Sequence, residues 1–170
     1  MIILGFKKNL LAFFIIGILG TLGHFVYEWS GENTIIGLIF PVNESIWEHL
    51  KLIFYPSLIF FLAEYFITDK KPDNYIPASI MGIFSGMTSI IVLYYTISGV
   101  VGKNIDFINI VIFFTAIIIT LCKRNKIILG GKEYSKNQMI LLLSLTVIFA
   151  FLFMFWSYNP PSLGIFTVPD

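Results

Sequence analysis

Five ionisable residues in the N-terminal part of the chain have side chains that suit acid–base or metal chemistry. His24 and Glu28 are four residues apart, which places both on one face of a helix. Glu44, Glu48 and His49 follow within a short stretch. Because imidazole and carboxylate groups are ligands of Zn²⁺, Mn²⁺ and Fe²⁺, this set predicts a site where both histidines of the chain meet glutamates.

The chemistry expected of this set depends on whether it holds a metal. The residues predicted both as catalytic groups and as ligands of a divalent metal such as zinc are His24, Glu28, Glu44 and His49. A metal with such ligands and one open position activates water for hydrolysis. Without a metal, the same groups suit general acid–base catalysis or a proton relay. The residues predicted to bind substrate are Asn43, Trp47 and Glu48.

A purely structural interpretation competes with the functional one. Ser45 followed by Glu48 has the spacing of a capping box, which would by itself account for that glutamate. Asn43, Glu44 and Glu48 would then form a polar knot that ties the loop to the first helix. Since no HExxH motif is present, spacing does not decide whether the protein is an enzyme.

Composition places these residues in a membrane protein. Only 12% of the 170 residues are charged, against about 25% in soluble domains. A single cysteine, Cys122, excludes an internal disulfide, and a net charge of +1 gives no attraction to nucleic acid. We therefore predict an all-α, polytopic transmembrane bundle forming one domain, residues 1–170. The five predicted spans are about 9–27, 50–68, 76–99, 106–122 and 138–156.

Basic residues predict the direction of the spans. With the N-terminus in the cytoplasm and the C-terminus outside, nine of the eleven Lys and Arg residues lie inside. Only Lys51 and Lys103 then lie outside, together with both histidines. The tryptophans Trp29, Trp47 and Trp156 would form an aromatic belt at the outer interface. A cleaved signal peptide is the alternative interpretation of the first span.

The connecting segments carry further expectations. Residues 34–40 are too short to cross and predict an interfacial or re-entrant piece between spans 1 and 2. Ser135 and Gln138 predict a capping box that opens the fifth span. The C-terminal tail is broken by proline and either folds back over the outer face as a lid or is frayed.

Within the spans, Glu64 is predicted to snorkel to the cytoplasmic interface, with a buried partner as the alternative. Gly82 and Gly86 predict close helix packing in the third span. Asp106 and Asn109, one turn apart, are candidates to complete the His/Glu cluster or to serve as a helix cap and a helix–helix hydrogen bond.

Two segments support a resemblance over essentially the whole chain. They are Gly23-His24-Phe25-Val26-Tyr27-Glu28-Trp29-Ser30-Gly31 and Pro41-Val42-Asn43-Glu44-Ser45-Ile46-Trp47-Glu48-His49-Leu50-Lys51-Leu52, and the ending Asn159-Pro160-Pro161-Ser162-Leu163-Gly164-Ile165-Phe166 agrees with them. The chain resembles a family of small multi-span membrane proteins of Clostridia and related Firmicutes, described only as a domain of unknown function. The resemblance implies a multi-helix membrane fold with the first span retained, and no activity.

Three function classes follow. The favoured one is a hydrolase at the outer face of a bacterial cytoplasmic membrane, acting on a lipid or lipid-linked envelope substrate. A cation or small-molecule transport module is the second, and five spans would then require a homodimer or partner membrane subunits. A structural accessory subunit is the third. The lipid bilayer is the expected partner in all three, and nucleic acid in none.

Overall fold

The computed structural model describes residues 5–169, so the predicted domain of residues 1–170 extends beyond it at both ends. Between those bounds the chain forms α-helices, one short 3₁₀ helix at Gly164–Phe166 and no strand. The α-helices are α1 (Phe6–Trp29), α2 (Thr34–Gly37), α3 (Ile46–Ile67), α4 (Tyr75–Val101), α5 (Asp106–Leu129) and α6 (Lys136–Trp156). All except α2 are long and apolar enough to cross a membrane, so the prediction of an all-α chain with five candidate spans is confirmed.

Polar side chains cap the helices where the sequence places them, with one difference. Ser135 and Gln138 form the predicted capping box at the start of α6. At the start of α3, the Ser45 hydroxyl accepts from the Glu48 backbone N–H at 3.4 Å. The expected return bond is absent, because the Ser45 backbone N–H donates to Asn43 instead. The prediction of a full capping box here is therefore wrong, and the Glu48 carboxylate binds elsewhere.

Glycines allow the long helices to approach closely. A Cβ atom added at Gly86 of α4 would overlap the Thr120 side chain of α5. One added at Gly20 of α1 would lie 2.6 Å from the Leu52 carbonyl oxygen of α3. Since a side chain at either position would force the helices apart, the predicted close packing at Gly86 is confirmed.

Helix α5 is longer than the sequence indicates, because its arginine is buried and paired. The predicted span stops before Lys123, yet the helix continues to Leu129. Arg124 is only 1% exposed and forms an ion pair with Glu64 of α3. The Tyr75 hydroxyl donates to the same carboxylate at 2.8 Å. The prediction that Glu64 snorkels is therefore wrong, and the alternative of a buried partner holds.

The helix termini lie at two opposite ends of the bundle. We call one of them the site end: it contains the last turns of α1, α4 and α6 and the first turns of α3 and α5. The opposite end contains the other termini of these helices. At the site end the tail folds back, as one of the two predictions proposed: the Tyr158 hydroxyl donates to the Thr34 carbonyl at 3.0 Å, and Phe166 packs on Trp47. Helix α2 and the loop to α3 lie beneath this tail.

Candidate functional site

Three of the predicted residues meet at the site end. His24 lies near the end of α1, His49 lies in the first turn of α3, and Glu44 lies in the loop that precedes α3. One oxygen of Glu44, Oε2, is 3.3 Å from His24 Nε2 and 3.4 Å from His49 Nε2. The imidazole rings are themselves in edge contact, with centroids 5.3 Å apart. We call these three residues the His/Glu cluster.

A backbone hydrogen bond assigns the roles of the two nitrogens of His49. Nδ1 lies 2.9 Å from the Ser45 carbonyl oxygen. Because a carbonyl only accepts, Nδ1 must carry a proton. In the neutral ring, Nε2 then presents its lone pair to the Glu44 carboxylate, which also only accepts. Two acceptors at this separation require a cation between them, either a proton on the ring or a metal ion.

The charge on Glu44 agrees with a cationic neighbour. Its side chain is 61% exposed, so water and the imidazoles both reach it. The hydrogen bond from His49 lowers the pKa of this carboxyl below its ordinary value, and the charge of His24 acts in the same direction. Glu44 is therefore ionised at neutral pH and offers an anionic oxygen to both rings.

The spacing of the cluster also suits a single metal ion. One ligand atom from each residue lies within 4.8 Å of the others. Ligands about 2.0–2.1 Å from a tetrahedral zinc ion are about 3.3 Å apart, close to both separations from Glu44. The backbone bond at His49 Nδ1 is the kind of outer contact that orients a ligating imidazole. These three residues therefore fit a divalent metal with an open fourth position.

A large cavity of about 610 Å³ opens beside the cluster. Its walls come from α1, α3, α4, α5 and the tail, and most of its surface is apolar, including Leu52, Ile90 and Phe113. Val168 and Pro169 of the tail close one side. Such a volume is in the range of ligand-binding sites, and the His/Glu cluster supplies the convergent polar groups. Three polar residues of the wall were not among the predicted site residues: Thr21, Tyr94 and Asn104.

The other predicted site residues lie elsewhere. Glu28 is exposed, one helical turn beyond His24, and does not join the cluster. Asn43 accepts from the Ser45 backbone N–H at 2.9 Å and so shapes the loop. Trp47 is buried against Phe166 and other aromatic rings. By contrast, Asp106 and Asn109, which were candidates to complete the cluster, line the cavity.

Glu48 faces away from the cavity into a separate polar network. Its carboxylate pairs with Lys51 at 2.8 Å, and both side chains are at most 2% exposed. The same carboxylate accepts from the Val42 backbone N–H at 2.9 Å. The Ser157 hydroxyl, at the end of α6, accepts from the Lys51 ammonium and lies 2.9 Å from Glu48 Oε1. We call Glu48, Lys51 and Ser157 the closed network.

The closed network positions the loop that carries Glu44. Lys51 also donates to the carbonyl oxygens of Gly37 and Phe40, at 2.9 Å and 3.2 Å. Together with the bond from Val42, these contacts hold the chain on both sides of the turn at Pro41. The sequence predicted Lys51 only as a charge of the outer side. Of its partners, only Glu48 has a polar side chain close to Lys51 in the sequence, so no local pattern predicts the network.

Comparison with known families identifies the chain. It belongs to the family of unknown function DUF6512, which matches residues 5–169. No curated protein matches the chain. No solved structure matches it either. The functional argument therefore depends on the geometry of the site.

Proposed function

We propose that this member of a family of unknown function is a membrane hydrolase that uses a divalent metal at the His/Glu cluster to cleave an ester of a membrane amphiphile. The observation that carries the proposal is the arrangement of His49: its Nδ1 is committed to a backbone carbonyl, and its Nε2 faces an anionic oxygen shared with His24. Either a ring proton or a metal ion satisfies that arrangement, and the metal is supported by the three ligand atoms lying within 4.8 Å of one another. The adjoining apolar cavity offers room for an acyl chain.

The chemistry is that of metal-activated water. A zinc ion held by His24, Glu44 and His49 would supply activated water, whose pKa falls to about 7 in catalytic zinc sites. Hydrolysis by that water would replace the bond from the ester's carbonyl carbon to the alcohol oxygen by a bond to the water oxygen. A proton from the water would pass to the departing alcohol, so the products would be a carboxylic acid and an alcohol.

Metal content is the direct test. The purified protein, loaded with zinc and passed through a desalting column, is expected to retain one zinc ion per chain by elemental analysis. His24→Ala and His49→Ala should lose it. Glu28→Gln is the matched control, because it removes a nearby carboxylate outside the cluster. If Glu28→Gln loses as much zinc as the histidine variants, the ligand set is wrong.

Activity is tested separately on long-chain esters presented in detergent micelles. Zinc-loaded wild type is expected to release fatty acid, and both the chelated protein and His49→Ala should not. Release that survives chelation but not His49→Ala would favour acid–base catalysis without metal. Release that survives both would overturn the assignment of this site.

We further propose that the site end faces outward in a bacterial cytoplasmic membrane. The lysines of the opposite end, such as Lys70 and Lys132, support this direction through the positive-inside rule. Replacing Cys122 by serine and placing one cysteine at Lys103 or at Lys70 allows labelling of intact cells with an impermeant maleimide. Only the cysteine at position 103 should react; the reverse would exclude this orientation.

The proton-relay alternative is not favoured by a specific observation. Its inner member, Glu64, is held by Arg124 and by the Tyr75 hydroxyl rather than poised to exchange a proton.

A further inference from the structure

The cavity wall carries no surplus positive charge. Glu44 and Asp106 supply two carboxylates, and polar groups such as Thr21 and Asn104 are neutral. The imidazoles of the His/Glu cluster also line it, and one ring proton shared with Glu44 would balance one of these carboxylates. Among the described residues that line the cavity, none is a lysine or an arginine. A divalent ion at the His/Glu cluster would balance the two carboxylates and leave no surplus positive charge.

Neighbouring lysines do not change this balance. The Lys51 ammonium is buried and bonded to Glu48 and Ser157, on the other side of α3's first turn. Lys103 is exposed and lines a small depression that shares Asn104 and Asn109 with the cavity wall, but Lys103 is not itself among the residues that line the cavity. A phosphate in the cavity would therefore meet carboxylates without an arginine or lysine partner of the kind that phosphate sites use.

Two apolar residues of the cavity wall also lie on the surface of the bundle. Phe25 of α1 and Ile110 of α5 both line the cavity, and both are exposed, at 42% and 55%. Both stand on helices long and apolar enough to cross a membrane, so an acyl chain in the cavity would be continuous with an apolar part of the surface.

We propose that the cavity binds a single-chain amphiphile with an uncharged, hydroxyl-bearing head group, such as a monoacylglycerol, in preference to an anionic lipid with the same chain. The acyl chain lies among the apolar side chains, and the head group meets Asn104, Asp106 and Asn109 on the α5 side and the His/Glu cluster on the α1–α3 side. This inference names the substrate class of the proposed hydrolase and rests on that function for its site.

Competition between two lipids of equal chain tests it. The purified protein in a neutral detergent is incubated with equimolar monooleoylglycerol and oleoyl lysophosphatidate, and bound lipid is counted by native mass spectrometry. We expect wild type to prefer the uncharged lipid on the order of tenfold, the ratio that one uncompensated charge produces at a partly screened site. Equal binding, or preference for the lysophosphatidate, would overturn the proposal.

Charge variants locate the selection. Asp106→Asn should reduce the preference, and Asp106→Lys should abolish or reverse it. Glu133→Lys is the matched control, because it makes the same charge change at an exposed position of the opposite end. If the control shifts the preference as much as Asp106→Lys, overall charge rather than the cavity is responsible and the inference fails.

The test separates this inference from the hydrolase proposal. The preference is measured with and without zinc, and it should be larger without the metal because a ring proton then balances only one of the two carboxylates. Reversal on adding zinc would show that the metal recruits phosphate, which overturns the inference while leaving the metal site intact. Conversely, a preference that persists in a protein that neither binds zinc nor cleaves esters would refute only the proposed hydrolase.

Discussion

The two polar groups at the start of α3 are adjacent in sequence and opposite in character. In the closed network, Glu48 and Lys51 are buried and each contacts several partners. In the His/Glu cluster, Glu44 is 61% exposed and shares one oxygen between two rings that line a cavity. The first arrangement satisfies its polar groups internally, and the second presents its nitrogen and oxygen atoms to the cavity and to solvent.

The difference shows how one short segment can serve both stability and chemistry. A buried, satisfied ion pair fixes one geometry, since losing either partner leaves an isolated charge in a medium of low polarity. An open cluster can exchange ligands because water reaches it. The structural interpretation therefore applies to Glu48, and the functional interpretation is proposed only for Glu44 and the two histidines.

The largest effect should come from breaking the closed network. Lys51→Met leaves the Glu48 carboxylate buried without its counter-ion, a change that costs about 3–5 kcal/mol in buried pairs. We expect a large fall in the thermal unfolding midpoint of the purified protein. The double variant Lys51→Met with Glu48→Gln should recover more than half of that loss; if it is less stable than the single variant, the ion pair is not the source of the effect.

Removing the carboxylate of the open cluster should separate function from stability. Glu44→Gln is expected to weaken zinc binding by about a hundredfold or more, because a ligand is lost outright. Since the side chain is exposed, the free energy of unfolding should change by less than about 0.5 kcal/mol. Zinc titration and thermal unfolding of the same sample measure both; a destabilisation equal to that of Lys51→Met would erase the contrast between the two groups.

Acid should release the metal. The pKa of Glu44 is held below its ordinary value by the hydrogen bond from His49, so this carboxylate stays ionised in mild acid. A ligating imidazole must be neutral, so protons compete with the metal at His24 and His49. Zinc retention should be greatest at and above neutral pH and should fall on acidification. Retention that does not change down to the pH at which the protein unfolds would exclude imidazole ligation.

A smaller loss of stability than in Lys51→Met should come from the edge of the closed network. Ser157→Ala removes one hydroxyl that accepts from Lys51, and loss of a single buried hydrogen-bond partner costs about 1–3 kcal/mol. The unfolding midpoint should therefore fall by less than in Lys51→Met, and zinc retention should be unchanged. Zinc loss comparable to that in Glu44→Gln would mean that the two groups are not independent.

The fold was largely predictable because apolar runs of membrane length can form little else. Local sequence predicted where α6 begins, since the Ser135 cap and its partner are three residues apart. It failed at the end of α5, because the residue that allows Arg124 to remain inside a helix is Glu64, sixty positions away. Interactions between distant residues are outside what periodicity and capping can show.

The sequence predicted which residues form the polar groups of this end, but not which glutamate belongs to the His/Glu cluster and which to the closed network. The charge distribution and the helix spacing predicted that His24 and His49 lie at one end, and in the structure both contact Glu44 there. Spacing alone favoured Glu28 as their companion, whereas the carboxylate between them comes from Glu44 in the loop. That loop conformation depends on two contacts: the Val42 backbone N–H donates to Glu48, and Lys51 donates to the Gly37 carbonyl oxygen. No local sequence pattern predicts these contacts, so none could assign the two glutamates of this segment to different groups.

The position of Ser157 has a consequence for biosynthesis. Helix α6 has few buried residues, and its polar contact with the closed network is made by the residue that follows the helix. During synthesis, α3 is therefore complete long before Ser157, whose hydroxyl accepts a hydrogen bond from the Lys51 ammonium, has been translated. A nascent chain that stops before α6 would contain a Lys51 ammonium without its hydrogen bond to Ser157. This difference would distinguish an unfinished protein from a finished one in the membrane.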